Sequence, residues 1–408
     1  RSGSDIPFLF GMLYHIFSNG WEDKKYINDR VYGMEDVKKD VLAKWTPDKV
    51  EEACGVPEAT VFKAAQMMAM NRPSTLVWCM GQTQHTIGNA IVDILARCDD
   101  QFLGDNAIIK GAMNLIDADR AERLYSLMGP AVEASGGSAG NTAAGIANFG
   151  GRAAYFGKVA EDQLGEIFTH DIRAQGVHFE TRPLGSQPPT ARSMIFVTED
   201  GERSMNTYLG ACVELGPEDV EPEVVAQSKV TYFEGYLWDP PRAKQAILDC
   251  ARISHEAGQE MSMTLSDSFC VGRYRSEFLE LMRSGTGDIV FANEQEALSL
   301  YETDDFAVAL DRIAADCKLA AVTMGENGAV VVKGDQRIRV PATLVTNLLD
   351  TTGAGDLFAS GFLFGYTNDR SLEDCAHLGC YAAGVVIQQI GPRPMSSLDK
   401  GARAVGLL

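Results

Sequence analysis

The chain has 408 residues, of which 36 are Lys or Arg and 56 are Asp or Glu, so its formal charge is −20. An acidic surface without a Lys/Arg-rich run repels polyanions, and we therefore expect no nucleic acid and no membrane surface as a partner. No apolar stretch reaches the roughly 18 residues that a membrane-spanning helix needs.

The cysteines and the first residues of the sequence bear on the cellular compartment. The nine cysteines show no zinc or iron–sulfur spacing, and residues 1–20 lack the basic segment and cleavage site of a secretion signal. We predict buried free thiols and a cytoplasmic protein.

The first 72 residues have a dense helical pattern and few glycines. Pro57 followed by Glu58 and an apolar stripe predicts a helix that ends near Asn71, before Pro73. A strand is predicted next, over residues 75–79.

Residues 11–28, 51–65 and 78–90 resemble a fragment of the molybdopterin oxidoreductases, in the branch of formate dehydrogenases and periplasmic nitrate reductases. Such enzymes need an upstream cysteine cluster, a catalytic Cys or selenocysteine, and several walls around the pterin. None of these is present. We predict that residues 1–85 are a mainly helical appendage that binds no molybdopterin.

From residue 86 to residue 408 the pattern changes to short β-branched runs that alternate with helical stretches. The runs 229–233, 288–291 and 319–324 predict strands of a mostly parallel sheet with helices on both faces. The residues that precede Gly88 in the first strand of this sheet are Gln82, Thr83, Gln84 and His85, which are poor residues for a strand buried on both faces. We expect that strand to be shortened or distorted.

The most informative segment is a glycine-rich turn, 350–356, that leads into an apolar helix over 357–364. Glycines at a helix start let peptide N–H groups surround an anion, and the helix dipole favours negative charge there. Asp356 follows these N–H groups directly, where phosphoryl transfer to a hydroxyl uses a base. The alternative is simple helix capping.

This turn, in the sequence DTTGAGDLFASGFL (350–363), resembles a motif of the PfkB or ribokinase family of small-molecule kinases, and residues 136–165 resemble the family's other motif. The resemblance implies an α/β ribokinase-like three-layer sandwich with a small β lid. It implies ATP and Mg²⁺ as cofactors and leaves a monovalent cation open. It also implies an anion hole from Gly353, Ala354 and Gly355, a nucleotide contact at Thr352, and Asp356 as catalytic base.

Two further elements match the family's nucleotide side. Asn293 and Glu296 fit its N-x-x-E element, in which the Glu holds magnesium-bound water; taken alone, Asn293 would be read as a helix cap. Thr323, Gly325 and Gly328 lie in a segment that resembles the nucleotide-contacting turn, although by itself it is an ordinary hairpin.

The part of the site that binds the phosphoryl acceptor, a sugar or a nucleoside, requires polar groups directed at vicinal hydroxyls. Asn89 and Asp93 lie at the predicted end of the first strand, and a carboxylate accepts two hydroxyl donors. Gly137, Ser138 and Asn141 are predicted to form the opposite wall. Without the family resemblance, the glycine could equally be a turn before a helix.

Several segments are more similar to adenosine kinases than to ribokinases or fructokinases: 100–103, 135–141, 189–190, 202–204, 209–211, 265–269 and 380–391. An adenine-bearing substrate needs an apolar slot, for which the candidates are Ile91, Phe102, Met113, Tyr236 and Trp238. These residues could instead belong to the core.

Residues 190–208 contain two β-rich stretches joined by a turn signal at 199–201, which predicts lid strands around 190–211. Arg203 on the returning strand is a candidate to bind the transferred phosphate, because a guanidinium can contact two oxygens. A surface arginine is the equal alternative.

These patterns predict an ATP-dependent phosphotransferase that acts on the primary hydroxyl of a nucleoside, with adenosine converted to AMP. A sugar kinase of the same fold is the first alternative. An inactive nucleotide-binding fusion protein is the second. The expected partners are ATP and the small-molecule acceptor, and the sequence does not give the oligomeric state.

Overall fold

The computed structural model describes residues 5–24, 27, 34–70, 83–200 and 202–408. The strand predicted over 75–79 lies outside these residues. Contacts divide the chain into two compact units, residues 1–79 and 80–408. The boundary predicted at residue 85 therefore falls inside a strand of the second unit.

The described part of the first unit is helical. Its helices are α1 (Asp5–Ser18), α2 (Met34–Lys44), α3 (Pro47–Cys54) and α4 (Glu58–Met70). They surround a small core that contains Met12, Val50, Cys54, Val61 and Ala65. The helix predicted to end near residue 71 is confirmed, and the helical character predicted for this region agrees with the structure.

The second unit alternates strands and helices. Its strands are β1 (Thr83–Ile87), β2 (Ile91–Arg97), β3 (Met113–Leu115), β4 (Ala131–Ser135), β5 (Ala153–Phe156), β6 (Ala191–Val197), β7 (Arg203–Tyr208), β8 (Ser228–Glu234), β9 (Glu260–Thr264), β10 (Ile289–Asn293), β11 (Leu319–Thr323), β12 (Ala329–Lys333) and β13 (Gln336–Val340).

The α-helices of this unit are α5 (Asp100–Asp105), α6 (Ala118–Leu127), α7 (Ser138–Asn148), α8 (Gln163–Ala174), α9 (Pro222–Gln227), α10 (Pro241–Glu256), α11 (Ser268–Arg283), α12 (Glu294–Tyr301), α13 (Phe306–Asp316), α14 (Ala354–Thr367), α15 (Leu372–Val386) and α16 (Leu398–Ala404).

The larger sheet has eight strands in the order β13-β12-β11-β10-β9-β8-β1-β5. The strands from β11 to β5 are parallel, and β12 and β13 complete the other edge as antiparallel strands. Successive side chains of a strand point to opposite faces. Phe233 thus packs with residues of α10 and α11, and Tyr232 packs with residues of α7 and α14. The predicted three-layer α/β architecture is confirmed.

A second, five-stranded sheet has the order β3-β7-β6-β2-β4 and forms the lid. The predicted lid strands around 190–211 correspond to β6 and β7, but the other three come from residues 91–135. Asp93 consequently lies on β2 in the lid, whereas the sequence placed it at the end of the first strand. The chain crosses between the two sheets at Gly88, where an added Cβ would lie 2.5 Å from a carboxylate oxygen of Glu234.

Strand β1 keeps a central position despite its polar sequence. It pairs in parallel with both β5 and β8, and within the described residues 83–87 the distortion is a register shift between Thr83 and Gln84 in the pairing with β8. The side chains of Gln84 and His85 are 2% and 0% exposed. The backbone ladder therefore keeps the strand in place while its polar side chains are buried.

Within the described residues, no helix has both the length and the apolar composition that crossing a membrane requires.

Candidate active site

A cavity of about 530 Å³ lies between the lid and the carboxyl ends of the parallel strands. Such strand ends are the usual position for ligands in open α/β sheets. Apart from the candidates for the apolar slot, which are described below, the predicted site residues that line it are Asn89, Asp93, Gly137, Ser138, Asn141, Asn293, Glu296, Thr323, Gly325, Thr352, Gly353, Ala354, Gly355 and Asp356, and those that do not are Arg203 and Gly328.

Asp356 lies in the first turn of α14 and is held by two residues of α7. Ser138 Oγ donates to Asp356 Oδ1 at 2.7 Å, and Asn141 Nδ2 donates to Asp356 Oδ2 at 2.9 Å. Burial raises the pKa of Asp356, while the hydrogen bonds from Asn141 and Ser138 oppose the rise. The carboxylate is therefore fixed in orientation and retains acceptor capacity towards the cavity.

The glycine-rich turn precedes Asp356 and starts the helix. Gly353 is the N-cap with φ 79°, a left-handed conformation, and an added Cβ there would lie 2.8 Å from Pro392. Ala354 N donates to Thr351 O at 3.2 Å, so one of the three predicted anion-binding N–H groups is shared with a carbonyl. The first turn of a helix otherwise leaves its N–H groups available to an anion.

The predicted acceptor side meets this turn across the cavity. Asn89 follows β1, Asp93 projects from β2, and Gly137 precedes α7. An added Cβ on Gly136 would lie 2.3 Å from Asp93 Oδ2, so glycine is required for this close approach. Burial is the main reason that the pKa of Asp93 is raised to about 7.

Glu234, at the end of β8, is a site residue that the sequence analysis missed. It is 1% exposed and accepts hydrogen bonds from Asn89 N at 2.9 Å, Asn89 Nδ2 at 2.6 Å and Ala139 N at 2.8 Å. Burial raises its pKa to about 7. A signal was present, because an acidic residue ending an apolar strand directly before Gly235 is costly unless it is paired.

The N-x-x-E element forms a capping box at the start of α12. Glu296 N donates to Asn293 Oδ1 at 2.8 Å, and Asn293 N donates to Glu296 Oε2 at 3.0 Å. Both residues also line the cavity, so the capping role and a ligand role are compatible. Burial raises the pKa of Glu296 to about 7.

The predicted nucleotide turn is divided by the structure. Thr323 and Gly325 line the cavity, whereas Gly328 does not. Gly328 has φ 86°, and an added Cβ would lie 2.0 Å from Val340 O. Its role in the structure is to form the tight turn between β11 and β12.

Arg203 does not line the cavity in this structure. Its guanidinium pairs with the buried carboxylate of Asp350, at the start of the glycine-rich turn. Asp350 also accepts from Thr352 N at 2.9 Å and from Gly391 N at 2.8 Å. The lid strand β7 is thus joined to the glycine-rich turn through one carboxylate.

Three of the five candidates for the apolar slot line the cavity, namely Ile91, Met113 and Tyr236. The other two are core residues: Phe102 packs on Phe196 inside the lid, and Trp238 is 4% exposed. The structure adds lid residues that the sequence analysis did not select, and these are Leu115, Met205 and Leu209. The slot is therefore formed mainly by the lid.

Acidic side chains dominate the charge of the cavity wall: Asp93, Glu234, Asp239, Glu296 and Asp356. Among the described residues of this wall, Arg273 is the one Lys or Arg, and its Nη2 lies 3.0 Å from Asp239 Oδ2. No group of three or more His, Cys, Asp or Glu in the described part of the chain is arranged to hold a metal ion by itself.

Comparisons with known proteins agree with this geometry. The model of the pfkB family of carbohydrate kinases matches residues 108–399. The chain is 28% identical to adenosine kinase 2 of Arabidopsis thaliana over 339 residues, which cover 75% of this chain and 93% of the relative.

Two similar solved structures are much closer in sequence. A probable sugar kinase from Rhizobium etli is 76% identical, with a TM-score of 0.78, and the match covers 81% of this chain and 100% of that one. The adenosine kinase from Sinorhizobium meliloti is also 76% identical, with a TM-score of 0.77 and coverages of 80% and 99%. Both carry the fold described above.

Proposed function

Since the chain belongs to the PfkB family of carbohydrate kinases, which phosphorylate alcohol groups, we propose that it transfers the terminal phosphoryl group of ATP to the primary hydroxyl of adenosine. The products are AMP and ADP. The observation that carries this proposal is the position of Asp356 at the glycine-rich start of α14, in the same cavity as Asn89 and Asp93.

In the proposed reaction Asp356 accepts the proton of the acceptor hydroxyl as the oxygen attacks the terminal phosphorus. The P–O bond to ADP breaks, and the leaving oxygen takes the electron pair. Peptide N–H groups of Gly353 and Gly355 stabilise the charge that builds up on the phosphoryl oxygens. The hydrogen bonds from Ser138 and Asn141 keep Asp356 oriented throughout.

Asn89 and Asp93 are proposed to bind the ribose hydroxyls, because an amide and a carboxylate together can pair with a vicinal diol. Glu234 fixes the backbone and side-chain amides of Asn89 by two hydrogen bonds. Tyr236, Ile91 and the lid residues exclude water from the slot and leave it suited to a base.

ATP is proposed to lie on the side of Asn293, Thr323 and Gly325. Mg²⁺ supplies neutralisation of phosphate charge when it is bound. The wall fits a hydrated ion, because Glu296 faces the cavity and its carboxylate would accept a hydrogen bond from a metal-bound water. A monovalent cation is left as an open prediction.

Adenosine is preferred to a sugar for two reasons. The S. meliloti protein is described as an adenosine kinase, and the apolar lid residues Met113, Leu115 and Leu209 would stay uncovered beside a free sugar. A sugar kinase is kept as the second candidate, because the R. etli protein, equally similar at 76% identity, is described as a probable sugar kinase.

The test is coupled ADP release with adenosine, inosine, ribose and fructose, corrected for ADP formed without an acceptor. We expect kcat/KM for adenosine to exceed that for ribose by on the order of 1000-fold, since losing the base empties the slot and its polar partners. A preference for ribose or fructose would establish the sugar kinase, and no acceptor-dependent ADP would favour the inactive nucleotide-binding protein.

We propose that the first unit takes no part in this reaction, because the described residues of the cavity wall all lie between residues 89 and 358. Its likeness to molybdopterin oxidoreductases remains a prediction. We also propose a cytoplasmic location, which rests on the reduced state expected of the cysteines.

A further inference from the structure

Arg393 enters the neighbourhood of the cavity from the segment after α15. Its Nε donates to Asn141 Oδ1 at 3.2 Å, and its Nη2 donates to Gly136 O at 3.2 Å. An added Cβ on Gly140 would lie 3.2 Å from that same Nη2, so α7 leaves room for the guanidinium. The contact joins residues that are 252 positions apart.

This contact determines which way the amide of Asn141 points. The Nδ2 end donates to Asp356 and the Oδ1 end accepts from Arg393. Rotation of the amide by half a turn would place its oxygen against a carboxylate and its NH₂ against a guanidinium, and both contacts are repulsive. Ser138, the other donor to Asp356, cannot enforce this choice because a hydroxyl rotates freely.

The segment that carries Arg393 is itself tied to the glycine-rich turn. Asp350 accepts from Gly391 N at 2.8 Å and from Thr352 N at 2.9 Å, and Gln389 Nε2 donates to Arg393 O at 2.6 Å. The guanidinium also lies over the ring of Phe168, 5.6 Å from its centroid. Arg393 is therefore held at its backbone and along its side chain.

The positive charge of Arg393 also favours the ionised form of Asp356, in addition to orienting the amide of Asn141. Burial raises the pKa of Asp356, and the positive charge of Arg393 opposes the rise. The ionisable groups that interact with Asp356 from the surrounding elements are Arg393, Asp93, Glu234 and Tyr232. Arg393 is the cation of this set, and its Nη1 is sealed from solvent without a hydrogen-bond partner among the described residues.

We propose that Arg393 is a positioning residue for Asp356, which acts by fixing the amide of Asn141 and by providing the positive charge behind the carboxylate. The inference rests on the proposed kinase reaction, and it assigns to the segment after α15 a role in the proton-transfer step. It also predicts that a substitution that removes the charge of Arg393 changes both kcat and its pH profile, whereas one that keeps the charge changes kcat alone.

The experiment compares Arg393→Met and Arg393→Lys in the full chain by steady-state kinetics from about pH 5 to about pH 9, roughly two units on each side of neutral. Arg393→Met should lower kcat by roughly 30- to 100-fold, the scale of a small misplacement of a reacting group. KM for adenosine and ATP should stay within about threefold. The acid limb of the kcat profile should move to higher pH, because Asp356 loses its nearby cation.

Arg393→Lys keeps the charge but cannot reach two oxygens in a fixed fork. We expect its kcat to fall by about 10-fold while the acid limb stays at the position of the unsubstituted chain. Arg275→Met is the matched control, because Arg275 also donates to one carbonyl and one side-chain oxygen, Ser299 O and Glu302 Oε1, but lies outside the cavity. It should leave kcat and the profile unchanged.

A double-mutant cycle with Asn141→Ala tests the route of the effect. If Arg393 acts through Asn141, the combined loss in kcat is smaller than the product of the two separate losses. A folded Arg393→Met chain with kcat within twofold and an unmoved limb would overturn the inference, as would strictly multiplicative losses. The activity of the unsubstituted chain tests the proposed function. The ratio of kcat in each variant to kcat in the unsubstituted chain tests the role of Arg393.

Discussion

Two regions of the second unit bury polar side chains. One is the floor of the cavity, by which we mean Asp356 and Glu234 with the residues that donate hydrogen bonds to them, and the other is strand β1. On the floor, Asp356 receives two side-chain hydrogen bonds and Glu234 receives three donors. In β1, Gln84 donates to Leu363 O and Thr367 Oγ1 at 2.5 Å each, but its Oε1 has no partner within the described structure.

His85 shows the contrast most clearly. It is fully buried, its ring centroid lies 3.6 Å from that of Phe156, and neither ring nitrogen has a hydrogen-bond partner among the described residues. An unsatisfied buried polar group costs about 1–3 kcal/mol. The polar groups of Asp356 and Glu234 thus hold a defined geometry, whereas His85 contributes no hydrogen bond and the backbone pairing on both sides of β1 compensates for it.

The largest expected effect belongs to the floor. Asp356→Asn should lower kcat by roughly 100-fold or more, the usual range for removal of a general base. The fold and substrate binding should be nearly unchanged, because Asn keeps the size and one acceptor of Asp. Turnover by coupled assay, circular dichroism and calorimetric binding check this expectation.

The exposed ion pair of Asp399 with Arg403 offers a control, and Asp399→Asn should behave as the unsubstituted chain. Near-normal turnover in Asp356→Asn would remove Asp356 from the role of base.

Glu234→Gln should have the next largest effect. The substitution replaces one carboxylate oxygen by an NH₂ group that must face the N–H donors of Asn89 or Ala139. We expect kcat/KM for adenosine to fall by roughly 10- to 100-fold, in line with about 1.5–3 kcal/mol for a hydrogen bond to a charged group. Steady-state kinetics measure it.

Glu277→Gln is the matched control for this change, because Glu277 also accepts more than one hydrogen bond, from Trp238 Nε1 and Lys244 Nζ, and lies outside the cavity wall. Equal losses in the two variants would argue that Glu234 is only a stabilising residue.

In β1 the expected change is a gain in stability. Burial lowers the pKa of His85 from 6.5 to about 3. A depressed histidine pKa means that the folded state resists a proton that the unfolded chain accepts, so stability is full above pH 6.5 and is lost as pH falls below it. His85→Val should remove this loss, and valine suits a strand.

Chemical denaturation at pH 7 and pH 5 tests this prediction. The free energy of unfolding of His85→Val should exceed that of the unsubstituted chain by a margin that grows by about 2 kcal/mol between the two pH values. His170→Val, at a histidine whose side chain is 81% exposed, should show no such growth. A constant margin would contradict the assignment to His85.

The smallest effect is expected upstream of β1. A chain that begins near Asn71 should keep kinase activity within about threefold, a difference below about 1 kcal/mol in barrier. It retains every residue of the cavity wall. The full chain should contain no molybdenum by elemental analysis. Loss of activity in a shortened chain that still folds, or stoichiometric molybdenum, would show that residues 1–70 contribute more.

The contrast also explains what could be predicted from the sequence. The glycine-rich turn and Asp356 are adjacent along the chain, so their chemistry could be predicted from a short motif. Glu234 and Arg393 reach Asn89 and Asn141 from 145 and 252 residues away, and no local pattern contains that contact. Asp93 was placed at the end of the first strand because the sequence of the short break at 88–90 does not show that the strands on its two sides belong to different sheets.

The same limit applies to Arg203. Its place on β7 could be predicted from the turn at 199–201, but its pairing with Asp350 depends on where the lid lies above the glycine-rich turn. Position on a strand follows from local sequence, whereas the choice between a phosphate and a carboxylate as partner depends on tertiary geometry. Its proposed contact with phosphate stays a prediction.

The crossing between the two sheets has a mechanical consequence. The chain passes from β1 to β2 over residues 88–90 and returns through residues 136–137 to α7, and an added Cβ on Gly137 would lie 2.1 Å from Asn89 O. This crossing between the sheets therefore contains Asn89, the proposed ribose contact. If the lid tilts about this crossing, Asn89 and its hydrogen bonds to Glu234 are displaced with it, so the proposed binding of the nucleoside and the release of its product would change together.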